Sequence, residues 1–337
     1  MMSERRDRGD DQLSVRFWGT RGSIPMPGPD TVVYGGHTCC VEIRLGQRVF
    51  IIDAGSGFEP AGRAMSLLGA GSGRIDLLLS HLHHDHISGL PFFSPILKEQ
   101  GELRVFCGNL EGASAAAALG TMFAPPLFPV TLDVLPGRIV HVGFRAGETL
   151  AFDDGVRVAT CALRHPGGST GYRFDHGGRR VCYVSDMEHV DSGPDADLVA
   201  FCRDADLVIY DAMFTETELP RCRGWGHSTW NAGVLLCRAA NARALAAYHH
   251  HKAHDDGVLA GIDAELAAAL PGSFVAREGQ TVSFRALQPL APESRAPEPR
   301  SGPAGPGRRL DPRRREPAQA EAGRQDQRCT DPQLQHG

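Results

Sequence analysis

The run Leu77-Leu78-Leu79-Ser80-His81-Leu82-His83-His84-Asp85-His86 constrains this chain more than any other stretch. Its apolar start reads as a strand. The six residues from His81 to His86 then hold four imidazoles and a carboxylate. A strand is fixed by its ladder, and the loop that follows can fold several side chains toward one point. Imidazole with carboxylate suits zinc, manganese or iron rather than calcium. A surface histidine cluster is the alternative, and it leaves the order His-x-His-x-Asp-His after an apolar strand unexplained.

The surroundings decide what kind of fold carries this loop. Between Leu13 and Leu287, short β-branched runs alternate with Ala- and Leu-rich stretches, punctuated by Gly and Pro. Strands are expected at Ser14–Trp18, Cys40–Leu45, Arg48–Asp53, Ile75–Ser80, Leu103–Cys107 and Ile139–Phe144, then at Val156–Leu163, Thr170–Phe174, Arg180–Ser185, Asp206–Tyr210, Ala244–Tyr248, Phe274–Ala276 and Thr281–Phe284. Helices are expected at Pro60–Leu68, Gly112–Met122, Ala196–Arg203, Thr229–Asn241 and Asp256–Leu270. Strands that cluster early and again in the middle predict two sheets with helices packed outside, an α/β sandwich, rather than a simple βαβ series. Residues 1–12 read as a disordered leader and 13–288 as one folded domain. Residues 289–337 are rich in Pro, Arg, Ala, Gln and Gly and hold almost no large apolar side chains. Such a tail buries too little surface to offset chain entropy, so disorder is expected there.

Composition excludes several classes. No apolar run approaches the roughly 18–20 residues that cross a bilayer, and the charged start Met1–Gln12 is no secretory signal, so a cytoplasmic protein without membrane contact is expected. The nine cysteines have no CxxC pair, which removes a zinc ribbon and leaves buried reduced thiols. Net charge is -5; nine Arg against seven acids give the tail +2, so the body carries -5 - 2 = -7. An acidic body is a poor general nucleic-acid surface.

Further donors follow other apolar runs: His165 after Leu163, Asp186 after Val184-Ser185, and His249 after Ala247-Tyr248. With these in place the chain resembles the metallo-β-lactamase superfamily, whose His-x-His-x-Asp-His signature it matches at His81, His83, Asp85 and His86. The resemblance covers roughly residues 14–287 and implies a four-layer αββα sandwich. It also implies two divalent metal ions, zinc first, with manganese or iron as alternatives. One would be held by His81, His83 and His165, the other by Asp85, His86 and His249, with Asp186 bridging. His250, His251 and His254 compete with His249 for the last place, because the histidine run leaves the register open.

Asp186 argues against the antibiotic-hydrolysing branch, which carries Cys there. Phe17-Trp18-Gly19-Thr20-Arg21-Gly22-Ser23 resembles the glycine loop of the ribonuclease Z and cyclic-phosphodiesterase branch, which implies substrate contacts from Arg21, Gly22 and Ser23. Gly224-Trp225-Gly226-His227-Ser228-Thr229 resembles that branch's helper-histidine motif. His227 would protonate the leaving oxygen, and Asp211 would orient it and fix its tautomer. Two cations would generate hydroxide from a shared water and stabilise charge developing on phosphate oxygens, with Asp85 among the catalytic residues. The expected activity is hydrolysis of a small or cyclic phosphodiester, with 122–129 as an apolar lid or pocket wall. The acidic body and the lack of a Gly- and Lys-rich insertion lead us to expect tRNA not to be a substrate. A homodimer stays open. Thioester or lactone hydrolysis is the alternative chemistry, and a metal-binding regulatory protein without catalysis is the alternative class.

Overall fold

The computed structural model describes residues 12–67, 74–99, 101–108, 110, 114–190 and 193–285. The expected tail, and the leader apart from Gln12, lie outside the described residues; Gln12 itself opens the first strand.

The first sheet is built from β1 (Gln12–Gly19), β2 (Cys40–Leu45), β3 (Arg48–Ile52), β4 (Arg74–Leu79), β5 (Glu102–Cys107) and β6 (Arg138–Gly143) in chain order. The second holds β7 (Thr149–Ala151), β8 (Arg157–Leu163), β9 (Ser169–His176), β10 (Arg179–Val184), β11 (Leu207–Asp211), β12 (Leu245–Tyr248) and β13 (Phe274–Val275), before β14 (Thr281–Arg285) returns to pair with β1. Each sheet therefore has seven strands. Each is antiparallel toward one edge and parallel toward the other: β3, β4, β5 and β6 run parallel, as do β10, β11, β12 and β13.

Side-chain alternation divides these strands between layers. From one face, Phe50, Ile52 and Leu78 of the first sheet meet Tyr172, Phe174, Tyr183, Ile209 and Tyr248 of the second in a central core. From the opposite face of the first sheet, Ile51, Leu77 and Leu79 pack against Phe58, Ala61 and Met65 of α1 (Phe58–Leu67). The short α2 (His84–Ile87) and α3 (Ala115–Met122) follow in the chain. From the outer face of the second sheet, Cys182, Val184, Val208, Tyr210 and Ala247 cover residues of α4 (Ala196–Phe201), α5 (Trp230–Ala239) and α6 (Asp256–Ala269). The order is helices, sheet, sheet, helices: the αββα sandwich. Strands buried on both faces explain the unbroken apolar run of β4.

Each outer helix on the second sheet starts at a residue suited to cap it. Asp195, Thr229 and Asp255 accept backbone N–H groups at the starts of α4, α5 and α6. Among the described residues, no helix is long and apolar enough to cross a membrane. The expected lid at 122–129 is placed differently. Phe123 is buried in the core beneath the first sheet and packs edge-on against Phe128 with ring centroids 5.7 Å apart. Phe123 thus belongs to the core, Phe128 is half-buried against it, and Leu127 beside them is exposed.

Candidate metal centre

Parallel strands aim their C-terminal ends the same way, and α/β folds place their ligand sites outside those ends. Here both sheets do so at one point. From the first sheet, β3 ends at Asp53 and β4 at Ser80 and His81. From the second, β10 ends at Asp186, β11 at Asp211 and β12 at His249, and the antiparallel β8 delivers His165. Asp53, Asp186 and His249 each have a positive φ, of 62°, 59° and 63°. Non-glycine residues adopt this conformation at a cost of about 1–3 kcal/mol, and such outliers gather at functional sites.

The donors fall into two groups. His81, His83 and His165 bring ligand atoms within 4.8 Å of one another, and so do Asp85, His86 and His249. His165 Nε2 lies 3.1 Å from His83 Nδ1. Asp186 stands between the groups. Its Oδ1 is 3.8 Å from His81 Nε2 and 3.9 Å from His165 Nε2 on one side, and 3.3 Å from His86 Nε2 and 3.2 Å from His249 Nε2 on the other. The buried Nε2 atoms of His81 and His86 have no hydrogen-bond partner. Orphaned buried nitrogens converging on carboxylates are what a divalent cation would satisfy, so the residues fit the expected metal.

Charge arranges the two groups differently. Burial pushes His81 well below the usual imidazole range and lowers His83 and His165, which leaves neutral lone pairs. Burial opposes charge on His86 and His249 too, but Asp186 pulls both well above that range. Burial also opposes ionisation of Asp85 and Asp186. The neighbouring His86 and His249 outweigh it and hold both carboxyls below the usual carboxylate range.

Of the histidine run, the structure brings His249 to the second donor group. His250 turns away and places Nε2 2.8 Å from the carbonyl of Ala276, while His254 pairs with Glu218. His84 is exposed. His227 Nδ1 lies 2.8 Å from Asp211 Oδ2, and its ring centroid sits 4.8 Å from His249 and 5.1 Å from His165, close to both groups. Asp211 also accepts the backbone N–H groups of Asp186, Met213 and Ser228.

The glycine loop is placed otherwise than expected. Arg21 is fully buried, and its guanidinium donates to the carbonyls of Gly35, His251 and His254, so it braces loops and does not reach a substrate phosphate. A Cβ at Gly22 would stand 2.2 Å from His249 Cε1, and the Ser23 N–H donates to Asp85 Oδ2 at 2.7 Å. Gly22 therefore leaves room for the His249 ring, and the Ser23 N–H holds the Asp85 carboxylate.

Two residues near the donors escaped the sequence reading. Asp53 accepts from His86 Nδ1 at 2.8 Å, from the Ser80 N–H and hydroxyl, and from the Tyr183 hydroxyl. It fixes the His86 ring from behind, as the carboxylates behind metal-bound histidines do. A carboxylate ending the apolar Val49-Phe50-Ile51-Ile52 was the available signal. The buried Cys39 thiol lies with the ligand atoms of Asp85, His86 and His249, all within 4.8 Å, and sequence marks it only as an apolar thiol.

With this geometry in place, comparison with known proteins is informative. The family model described as the beta-lactamase superfamily domain matches residues 48–250, more than half of the chain. The chain belongs to the metallo-β-lactamase superfamily. It is a metal-dependent hydrolase of this fold, and the relatives it matches carry the name Ribonuclease Z. A protein named Ribonuclease Z from Natronomonas pharaonis is 25% identical over 81% of this chain and 98% of its own length. The metallo-β-lactamase fold protein YhfI of Bacillus subtilis superposes with a TM-score of 0.60 at 18% identity, covering 81% of this chain and all of that one. The short form of human tRNase Z gives 0.55 at 20% identity, over 80% and 98%. The ribonuclease Z relatives overturn the expectation that tRNA is no partner. An acidic net charge averages over the surface and says nothing about a local basic face, which is what phosphate contacts need.

Proposed function

We propose that this chain is a binuclear metal phosphodiesterase, with zinc as the ion at both positions. The observation that carries the reading is Asp186 Oδ1, within 3.9 Å of imidazole nitrogens from both donor groups. His81, His83 and His165 would hold one ion, Asp85, His86 and His249 the other, with Asp186 shared. When bound, two such cations supply Lewis acidity toward phosphate oxygens and acidify a water near neutral pH.

The rest falls to this chain's own groups. Asp211 accepts the Nδ1 N–H of His227, which fixes the ring, and in the doubly protonated ring that the carboxylate stabilises Nε2 passes its own proton to the departing oxygen and is left neutral. Asp53 and the Gly226 carbonyl, 2.8 Å from His165 Nδ1, hold the outer nitrogens of His86 and His165, so their Nε2 atoms face inward. An alkoxide leaving a phosphodiester needs that proton more than a thiolate does, which favours phosphodiesters over thioesters.

The test is turnover of bis-p-nitrophenyl phosphate, a cyclic nucleotide, a precursor tRNA and a thioester by zinc-loaded protein. Phosphodiester hydrolysis that disappears in an Asp85→Ala, His86→Ala double variant is expected. Equal rates for the two proteins, or a preference for the thioester, would overturn the proposal.

A further inference from the structure

The metal centre uses only His249 of the run His249-His250-His251 and leaves His251 and His254 unassigned. These two are three residues apart on the loop before α6, and they meet Glu218, which follows β11. The three residues bring ligand atoms within 4.8 Å of one another. His254 Nε2 lies 3.0 and 3.1 Å from the two oxygens of Glu218. The Thr215 N–H and hydroxyl both donate to Glu218 Oε2 at 2.8 Å, so the carboxylate is oriented before anything binds. His251 Nδ1 accepts the Ala253 N–H at 3.2 Å, which leaves Nε2 as its outward nitrogen. Arg21 donates to the carbonyls of His251 and His254, so the loop that carries both imidazoles is anchored. A plain ion pair accounts for His254 with Glu218. It gives no reason for His251 to converge on the same point, with its ring centroid 5.3 Å from that of His254.

We propose that Glu218, His251 and His254 form a further metal site, for a single zinc-like dication, distinct from the binuclear centre. Two imidazoles and one carboxylate are a donor set that transition-metal dications favour, and three protein ligands leave a position open to water or an anion. The Phe214 ring separates this site from the centre, with its centroid 5.7 Å from His251 and 5.9 Å from His227. An ion there ties the loop after β12, which carries the ligand His249, to the segment after β11 that leads to His227. The site depends on neither the binuclear assignment nor the phosphodiesterase reading.

Zinc titration of the full chain, followed by calorimetry and by metal analysis after desalting, tests it. Wild type is expected to take up one zinc equivalent more than His251→Ala or Glu218→Gln. The Asp85→Ala, His86→Ala variant should keep that equivalent while losing zinc at the centre. His251 is only half-buried, so its alanine variant keeps the fold, and circular dichroism checks this. A wild-type isotherm identical to that of His251→Ala overturns the site whatever the centre does. Loss of zinc only in the double variant overturns it equally.

Discussion

Replacing Asp53 with Asn tests whether the centre is tuned from behind. Oδ1 accepts the Ser80 N–H at 2.7 Å, and Oδ2 accepts His86 Nδ1 at 2.8 Å, the Ser80 hydroxyl at 2.9 Å and the Tyr183 hydroxyl at 2.7 Å. An amide can keep its oxygen at the Oδ2 position and so retain three of these bonds. Its NH2 then faces the Ser80 N–H, leaving a buried donor unsatisfied at about 1–3 kcal/mol. The lost charge also weakens the bond that orients His86. Substitutions behind metal ligands typically lower affinity about 10- to 100-fold. Each tenfold is about 1.4 kcal/mol. The assay is zinc affinity by competition with a chromophoric chelator, beside thermal unfolding of the metal-free protein. Tyr183→Phe removes one donor to the same oxygen without touching charge or His86. It should cost about 1 kcal/mol of stability and leave zinc affinity within a few-fold. Zinc affinity within about twofold of wild type in Asp53→Asn would show that Asp53 supports only the Ser80 backbone, and the reasoning would fail.

His227→Asn should lower phosphodiester turnover by about 10²- to 10⁴-fold while zinc content stays at the wild-type level; lost zinc would instead mark His227 as a ligand. Gly22→Ala would place a methyl 2.2 Å from a His249 ring already in contact with Asp85 and Asp186, so the variant should lose zinc at the second group and keep it at the first. Full loading of that variant by metal analysis would contradict the placement. Zinc affinity should rise with pH, because Asp186 pulls His86 and His249 above the usual imidazole range and their protons must leave when metal binds. The sign follows from competition: as pH falls, protons hold those nitrogens more firmly and zinc binds more weakly. A flat affinity between pH 6 and pH 8 would refute this.

The central strands were legible because both their faces are buried and their apolar runs stand out; the three-residue β7 was missed because it is too short to alternate. Adjacent ligands showed themselves through spacing, His81 to His86 most of all. His165, Asp186 and His249 showed themselves through the apolar strands they end. Register within His249-His250-His251 was hidden, because it depends on the left-handed turn at His249, a backbone choice that histidine makes only under tertiary constraint. Arg21 was misread for a related reason. A loop arginine near a site looks like a phosphate clamp until its burial against three carbonyls is known. Asp53 carried the same strand-end signal as Asp186 and was passed over because the family resemblance gives it no place among the donors.

The division of the centre between the two sheets spaces its donors far apart along the chain. The first donor group is complete in sequence once His165 has been translated, while the second waits for His249 near the end of the folded region. His165 precedes His249 by some eighty residues, so the three histidines of the first group, with Asp85 and His86, are on the chain long before Asp186 and His249 join them. A chain that ends before β12 would carry all three imidazoles of the first group and lack one donor of the second, so truncation there would unbalance the proposed centre.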